Sequence, residues 1–162
     1  MIILSFYSHT LDGGDFVSLL YKEVDDFEAY AYHQKQFKKV NCEIYAISTD
    51  THFAHKTWHD ISKNISKIEY PMIGDPTHSL TYDFDVFDEN DGLAQRGSFI
   101  IDPEGKVVVY EVNAGNVGRN ADELLRRLHA CQFVYEHGDN VCPAKWKLGE
   151  KTIQTTIENI GK

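Results

Sequence analysis

No cysteine occurs before residue 42, and the 162-residue chain holds only three: Cys42, Cys131 and Cys142. An odd number of widely spaced cysteines excludes the disulfide framework that holds small secreted domains together. Positive charge is also short. Sixteen Lys and Arg stand against 25 Asp and Glu, for a formal net charge of −9. That balance argues against nucleic acid or a membrane surface as partner, because both reward cationic proteins. No apolar run approaches the ~20 residues of a membrane-spanning helix. There are no repeats, low-complexity tracts or internal linkers. Met1–Tyr7 has no basic region ahead of its apolar residues and is too short for a signal peptide. The expectation is a cytoplasmic protein with reduced thiols.

What is present is ordinary for a globular chain: 42% hydrophobic and 25% charged residues, in a length that suits one domain. Ile2 to Tyr7 is a nearly continuous apolar run and reads as a buried strand. Ser8 to Gly14 is loop by composition. Asp15 suits an N-cap, and Val17, Leu20, Val24, Phe27 and Ala31 recur at helical spacing. The spacing predicts a helix from about Phe16 to Lys39, long beside a mean of ~11–12 residues. Its Glu23, Asp25, Asp26 and Glu28 form a solvated face. Glu43–Ser48 reads as a second buried strand. Phe53, Trp58, Ile61, Ile65 and Ile68 mark the apolar face of a helix. Pro71 to Ile73 is a short strand stopped by Gly74-Asp75-Pro76, and a short helix follows over Thr77 to Phe84. Gly97 to Ile101 and Lys106 to Val112 flank the tight-turn sequence Asp102-Pro103-Glu104-Gly105, which predicts an antiparallel hairpin. A last helix runs from Ala121 to about Tyr135, capped by Asn120. From Gly138 the chain reads as loop, with weak periodicity over Ile153 to Ile160. Strands alternating with helices and closing on a hairpin describe a three-layer α/β domain with a mixed sheet.

Four segments carry a more specific signal. They are Ser48-Thr49-Asp50-Thr51-His52-Phe53-Ala54-His55-Lys56-Thr57-Trp58-His59, Met72-Ile73-Gly74-Asp75-Pro76, the stretch from Gly92 to Gly105, and Val141-Cys142-Pro143-Ala144-Lys145-Trp146. In order and spacing they resemble the peroxiredoxins of the alkyl hydroperoxide reductase C-subunit type, over roughly residues 43–162. The resemblance implies a thioredoxin-like fold over residues 1–137 and a resolving-cysteine tail over 138–162. It implies reduction of hydrogen peroxide and organic hydroperoxides by thiol chemistry, with a dithiol reductant and with no metal or organic cofactor. It implies a homodimer or larger ring in which Cys142 of one subunit resolves a sulfenic acid on another. Arg96 matches the family arginine that faces the reactive sulfur.

The same resemblance exposes a departure. The family's reactive cysteine stands in the first turn of the helix after the first strand, within a Phe-Val-Cys-Pro-Thr-Glu stretch. This chain reads Asp15-Phe16-Val17-Ser18-Leu19-Leu20, so Ser18 takes the cysteine's position. The proline expected after Phe-Tyr is Ser8, and Asp15 stands where a threonine is expected. The family's N-terminal extension of some thirty residues is not matched. A serine hydroxyl is scarcely ionised near neutrality and does not climb the sulfur oxidation ladder. Cys42 and Cys131 read as small core residues. His52, His55 and His59 share one helical face, which the resemblance assigns to structure rather than to metal. The expectation is therefore a peroxiredoxin with weakened or absent peroxidase turnover. The alternative is a non-catalytic member that acts as scaffold or co-assembles with an active one.

Overall fold

A computed structural model gives the fold and describes residues 1–7 and 32–157. The chain divides into two compact units, Met1–Ala121 and Asp122–Lys162.

The first unit is built on a five-stranded sheet. Its strands are β1 (Ile2–Tyr7), β2 (Glu43–Ser48), β3 (Met72–Gly74), β6 (Arg96–Ile101) and β7 (Val107–Asn113), in the order β3-β2-β1-β6-β7. β1 runs parallel to β2 and antiparallel to β6, so the sheet is mixed. That arrangement agrees with the apolar run of β1, which is buried along most of its length because it is paired on both edges. The expected hairpin forms between β6 and β7. Its turn is held by Asp102, whose Oδ1 accepts from the N–H groups of Glu104 (3.0 Å) and Lys106 (2.8 Å), and Gly105 supplies the positive φ of 82°. A two-stranded ribbon not foreseen from sequence, β4 (Phe87–Asp88) with β5 (Leu93–Ala94), precedes β6. Its strands are too short for periodicity to register.

Residues 32–39 are helical (α1), in agreement with the end of the first predicted helix. The beginning of that helix, the loop from Ser8 and the position of Ser18 lie outside the described residues. α2 (His52–Ile61) is followed by a 3₁₀ turn, Ile65–Lys67. The apolar face read from the sequence is only partly correct. Phe53 and Ile61 are 72% and 76% exposed, whereas His55 is 6% exposed. The reason is a polar contact: His55 Nε2 lies 2.7 Å from Ser48 Oγ at the end of β2, and this rotates α2 so that a histidine faces inward. Trp58 packs with Tyr7, Ala46, Ile65 and Ile68. On the sheet's other cluster, Phe6 meets Phe99 edge-on at 5.7 Å, and Phe84 closes the trio at 5.4 and 4.9 Å.

Two of the sequence segments prove to be one structural joint. The Asp75 N–H donates to Ser48 O at 2.8 Å, and Gly74 passes so close to the start of α2 that a Cβ there would stand 2.7 Å from Asp50 O and 2.8 Å from His52 N. Asp75 then turns its carboxylate to α3 (Ser79–Asp83), where Oδ2 accepts from both the N–H and the hydroxyl of Thr81 at 2.8 Å. Burial opposes the charge on Asp75, but these hydrogen bonds outweigh it and hold the carboxyl below its ordinary range.

Because both atoms facing Gly74 are backbone, neither can rotate away. Gly74→Ala is expected to lower stability by about 1–3 kcal/mol, the usual cost of overpacking, read as a lowered Tm in a thermal melt. A melt unchanged from wild type would show that the joint is looser than its geometry.

Candidate active site

β1 ends at Tyr7, and two arginines gather at that end of the sheet. The antiparallel register pairs Leu4 with Phe99 and Ser5 with Ser98, which brings the first residues of β6, Arg96 and Gly97, to the carboxyl end of β1. Arg96 is 2% exposed. Arg119 comes from the segment before α4 (Ala121–Glu136) and is 8% exposed. Its Nη1 donates to Phe6 O at 2.7 Å and to Gly97 O at 3.4 Å, and its guanidinium carbon lies 4.0 Å from the centroid of the Tyr7 ring. The loop leading to Arg119 is tied back by Asn113 Nδ2, which donates to Gly118 O at 3.3 Å.

Arginine stays protonated throughout the physiological range, so this end of the sheet carries two fixed, buried positive charges. An anion brought there by the residues following Tyr7 would be stabilised more strongly than in water. The family resemblance assigns this role to Arg96, which lies at this end of the sheet. Arg119 escaped notice. A faint signal existed: a cation just ahead of a helix N-terminus opposes the helix dipole, which is a reason to ask what else it holds. Ser18, the third residue of the expected site, is outside the described residues.

Cys42 is remote from such chemistry by its environment. It is 4% exposed, and burial pushes its thiol up to about 12. It has the character of a small core residue, not of a nucleophile. The three histidines of α2 are engaged separately. His55 bonds Ser48, His59 Nε2 lies 3.2 Å from Ile68 O, and the His52 ring lies tilted against Phe53 with centroids 4.0 Å apart. Among the described residues no group of three or more His, Cys, Asp and Glu has metal-holding geometry.

Cys142 belongs to the second unit. There the chain leaves α4, turns through Asn140–Val141 (β8) and pairs that strand with Ile153–Gln154 (β9), a ribbon in place of the loop read from the sequence. The following Trp146 is 2% exposed and packs on Phe133 of α4 with ring centroids 5.2 Å apart. Arg126 Nη1 donates to Trp146 O at 3.0 Å. Arg126 is itself gripped in a fork by Glu123, through Nε at 2.7 Å and Nη2 at 2.9 Å, and Arg127 Nε adds a third bond to the same carboxylate at 2.9 Å. Cys142 Sγ lies 4.0 Å from Ala130 O, which its thiol faces as a weak donor. Burial raises the Cys142 thiol, and the charge of Arg126 offsets only part of that. Cys131, expected in the core, is only half-buried.

The comparisons with known proteins agree with this architecture. A family profile described as AhpC/TSA family matches residues 20–110, and one described as the C-terminal domain of 1-Cys peroxiredoxin matches residues 130–160. Alkyl hydroperoxide reductase C of Escherichia coli (strain K12) is 48% identical over 132 residues, covering 82% of this chain and 71% of the relative. The protein of the same name from Staphylococcus saprophyticus is 49% identical over 148 residues, covering 91% and 77%. Among solved structures, Enterococcus faecalis AhpC superposes with a TM-score of 0.79 at 42% identity, covering 88% of this chain and 80% of that one. The reduced 2-Cys peroxiredoxin of Plasmodium vivax gives a TM-score of 0.85 at 27% identity, covering 97% and 78%.

The Glu123–Arg126–Trp146 relay carries a pH signature. Hydrogen bonds from Arg126, opposed by burial and helped by Arg127, hold the Glu123 carboxyl at about 2 instead of its ordinary 4.5. The stability it contributes is complete above pH 4.5 and is lost as pH falls toward 2. In a Trp58→Phe background, where Trp146 is the remaining tryptophan, its emission is expected to shift to the red across that window. Glu123→Gln is expected to show the shifted emission already at neutral pH. Identical acid titrations for the two proteins would mean that the relay does not hold the tail.

Proposed function

The chain belongs to the AhpC/TSA family, and from that premise we propose that it is a peroxiredoxin whose hydroperoxide turnover is weak or lost because Ser18 stands in place of the reactive cysteine. The observation that supports this reading is the pairing of two buried arginines with a missing nucleophile. Arg96 and Arg119 are buried at the carboxyl end of β1, yet the residues that follow contain no cysteine until Cys42, whose thiol is pushed up to about 12. Residues 20–110 match the family profile, and Ser18 falls just ahead of that match.

The chemistry requires a thiolate. It attacks the O–O bond of a hydroperoxide, becomes a sulfenic acid and releases an alcohol or water; a second thiol then condenses with the sulfenic acid to form a disulfide. An arginine lowers the thiolate's energy at the start and stabilises the departing oxygen. Serine supplies none of the sulfur steps. Cys142 is read as the resolving-type thiol of the tail that begins at Gly138. The relatives' name indicates alkyl hydroperoxides as the substrate class, and a dithiol as reductant is part of the same proposal.

Assembly is part of this reading, as a homodimer or larger ring. β7 is an edge of the sheet, and Val107, Val108, Val112 and Tyr110 on it are exposed, Tyr110 by 73%. A long apolar edge strand is a template for pairing with another chain. This favours the second reading as well, in which the chain co-assembles with an active peroxiredoxin and contributes scaffold.

Hydroperoxide consumption with a dithiol reductant separates the readings. Wild type is expected to turn over at least ~10²-fold more slowly than Ser18→Cys, a span typical of losing one catalytic group, and Ser18→Cys is expected to form a disulfide to Cys142. Wild-type turnover that vanishes in Cys42→Ser would overturn the proposal. Replacing both Val108 and Tyr110 by Lys is expected to reduce the oligomer to monomer in sedimentation, and an unchanged sedimentation coefficient would place the assembly surface elsewhere.

A further inference from the structure

The second unit holds two thiols, and the fold brings them to one place. α4 carries Cys131 in its third turn. The chain then reverses, and Cys142 returns against the same helix with its Sγ 4.0 Å from the carbonyl oxygen of Ala130, the residue bonded directly to Cys131. Three features pin this return. Trp146 is packed on Phe133 and bonded through its carbonyl to Arg126. The Trp146 indole N–H donates to Glu150 O at 3.0 Å. On the other side of Cys142, β8 is paired with β9, and Thr152 Oγ1 donates to Asn140 Oδ1 at 2.9 Å. Both thiols are half-buried, so a small reagent has access to them. They also sense each other: burial raises the Cys131 thiol, and the negative charge of a Cys142 thiolate raises it further.

We propose that Cys131 and Cys142 form an intrachain dithiol that closes to a disulfide by exchange with a small-molecule disulfide of the glutathione type. Nothing in the reading of Ser18 is needed for this, because neither the arginines at the end of β1 nor a peroxide takes part. Cys142 reacts first, since it lies beside Arg126, whose charge favours its thiolate. The Cys142 thiolate attacks one sulfur of the disulfide, forming a mixed disulfide and releasing one thiolate. The Cys131 thiolate then attacks the Cys142 sulfur, forming the Cys131–Cys142 bond and releasing the second thiolate. Two electrons pass to the small disulfide, and the two cysteine protons end on the released thiols.

Bridging needs Cα atoms within about 4.4–6.8 Å. The adjustment falls on residues 142–145, the irregular backbone between the paired β8 and the held Trp146, because a hydrogen-bonded helix such as α4 yields less readily. Because both thiols are raised, the rate is expected to climb about tenfold per pH unit toward 9.

The test uses the full chain, reduced, then incubated with oxidised glutathione, alkylated and digested with a protease that cuts after Glu136, which separates the two cysteines. Wild type is expected to lose two thiols per chain, retain no glutathione and yield the two peptides joined. Cys131→Ser is expected to accumulate glutathione on Cys142 at least ~10-fold over wild type, because the second step of exchange has lost its nucleophile. Cys42→Ser is expected to behave as wild type. Equal glutathione retention on Cys142 in wild type and Cys131→Ser, or peptides joining Cys142 to a Cys142 of a second chain, would overturn the proposal.

Discussion

The register of β1 governs the site at the end of the sheet. β1 is hydrogen-bonded on both sides, parallel to β2 through six residue pairs and antiparallel to β6 through four. A slip of one residue along either neighbour would turn Ile3 and its buried partners to the opposite face. It would also move Arg96 away from the strand's exit. The Arg119 guanidinium reads the same register, because its bonds to Phe6 O and Gly97 O need those carbonyls side by side. Two buried cations at one strand end are costly to desolvate.

The segments most recognisable in the sequence do a different job. Ser48–His59 and Met72–Pro76 meet at Gly74 and Asp75, where backbone contacts and the Ser48–His55 bond lock α2 to the ends of β2 and β3. Their residue types follow from that geometry: a glycine where no Cβ fits, an aspartate where Thr81 needs an acceptor, and a histidine where a buried serine needs a partner. This joint is scaffold for the sheet. The second unit shows how a tail can be held by one relay. Glu123 orients Arg126, Arg126 holds Trp146, and Trp146 fixes the backbone on which Cys142 sits.

Much of the fold was legible beforehand because hydrophobic period follows directly from burial. β1, β2, the β6–β7 hairpin and α4 were placed within a residue or two of their observed ends. The short ribbons β4–β5 and β8–β9 were not, since two-residue strands are defined by their partners and carry no period of their own. Phe53 and Ile61 were assigned to a buried face that belongs in part to His55. An apolar residue on a helix shows that some face is apolar, but a hydrogen bond to a distant serine decides which way the helix turns.

The sequence alone determined the family, the class of fold, the absence of cysteine before residue 42 and the position of Cys142 within a segment that resembles the family's. Those properties are local: they lie in residue identity and spacing along the chain. Tertiary structure decided that Arg119 joins Arg96 at the end of β1, that Cys42 is buried with its thiol raised, and that Cys142 returns beside Cys131. Each of those depends on residues far apart in the chain being brought together, and on how much water their surroundings exclude, which spacing along a sequence does not encode.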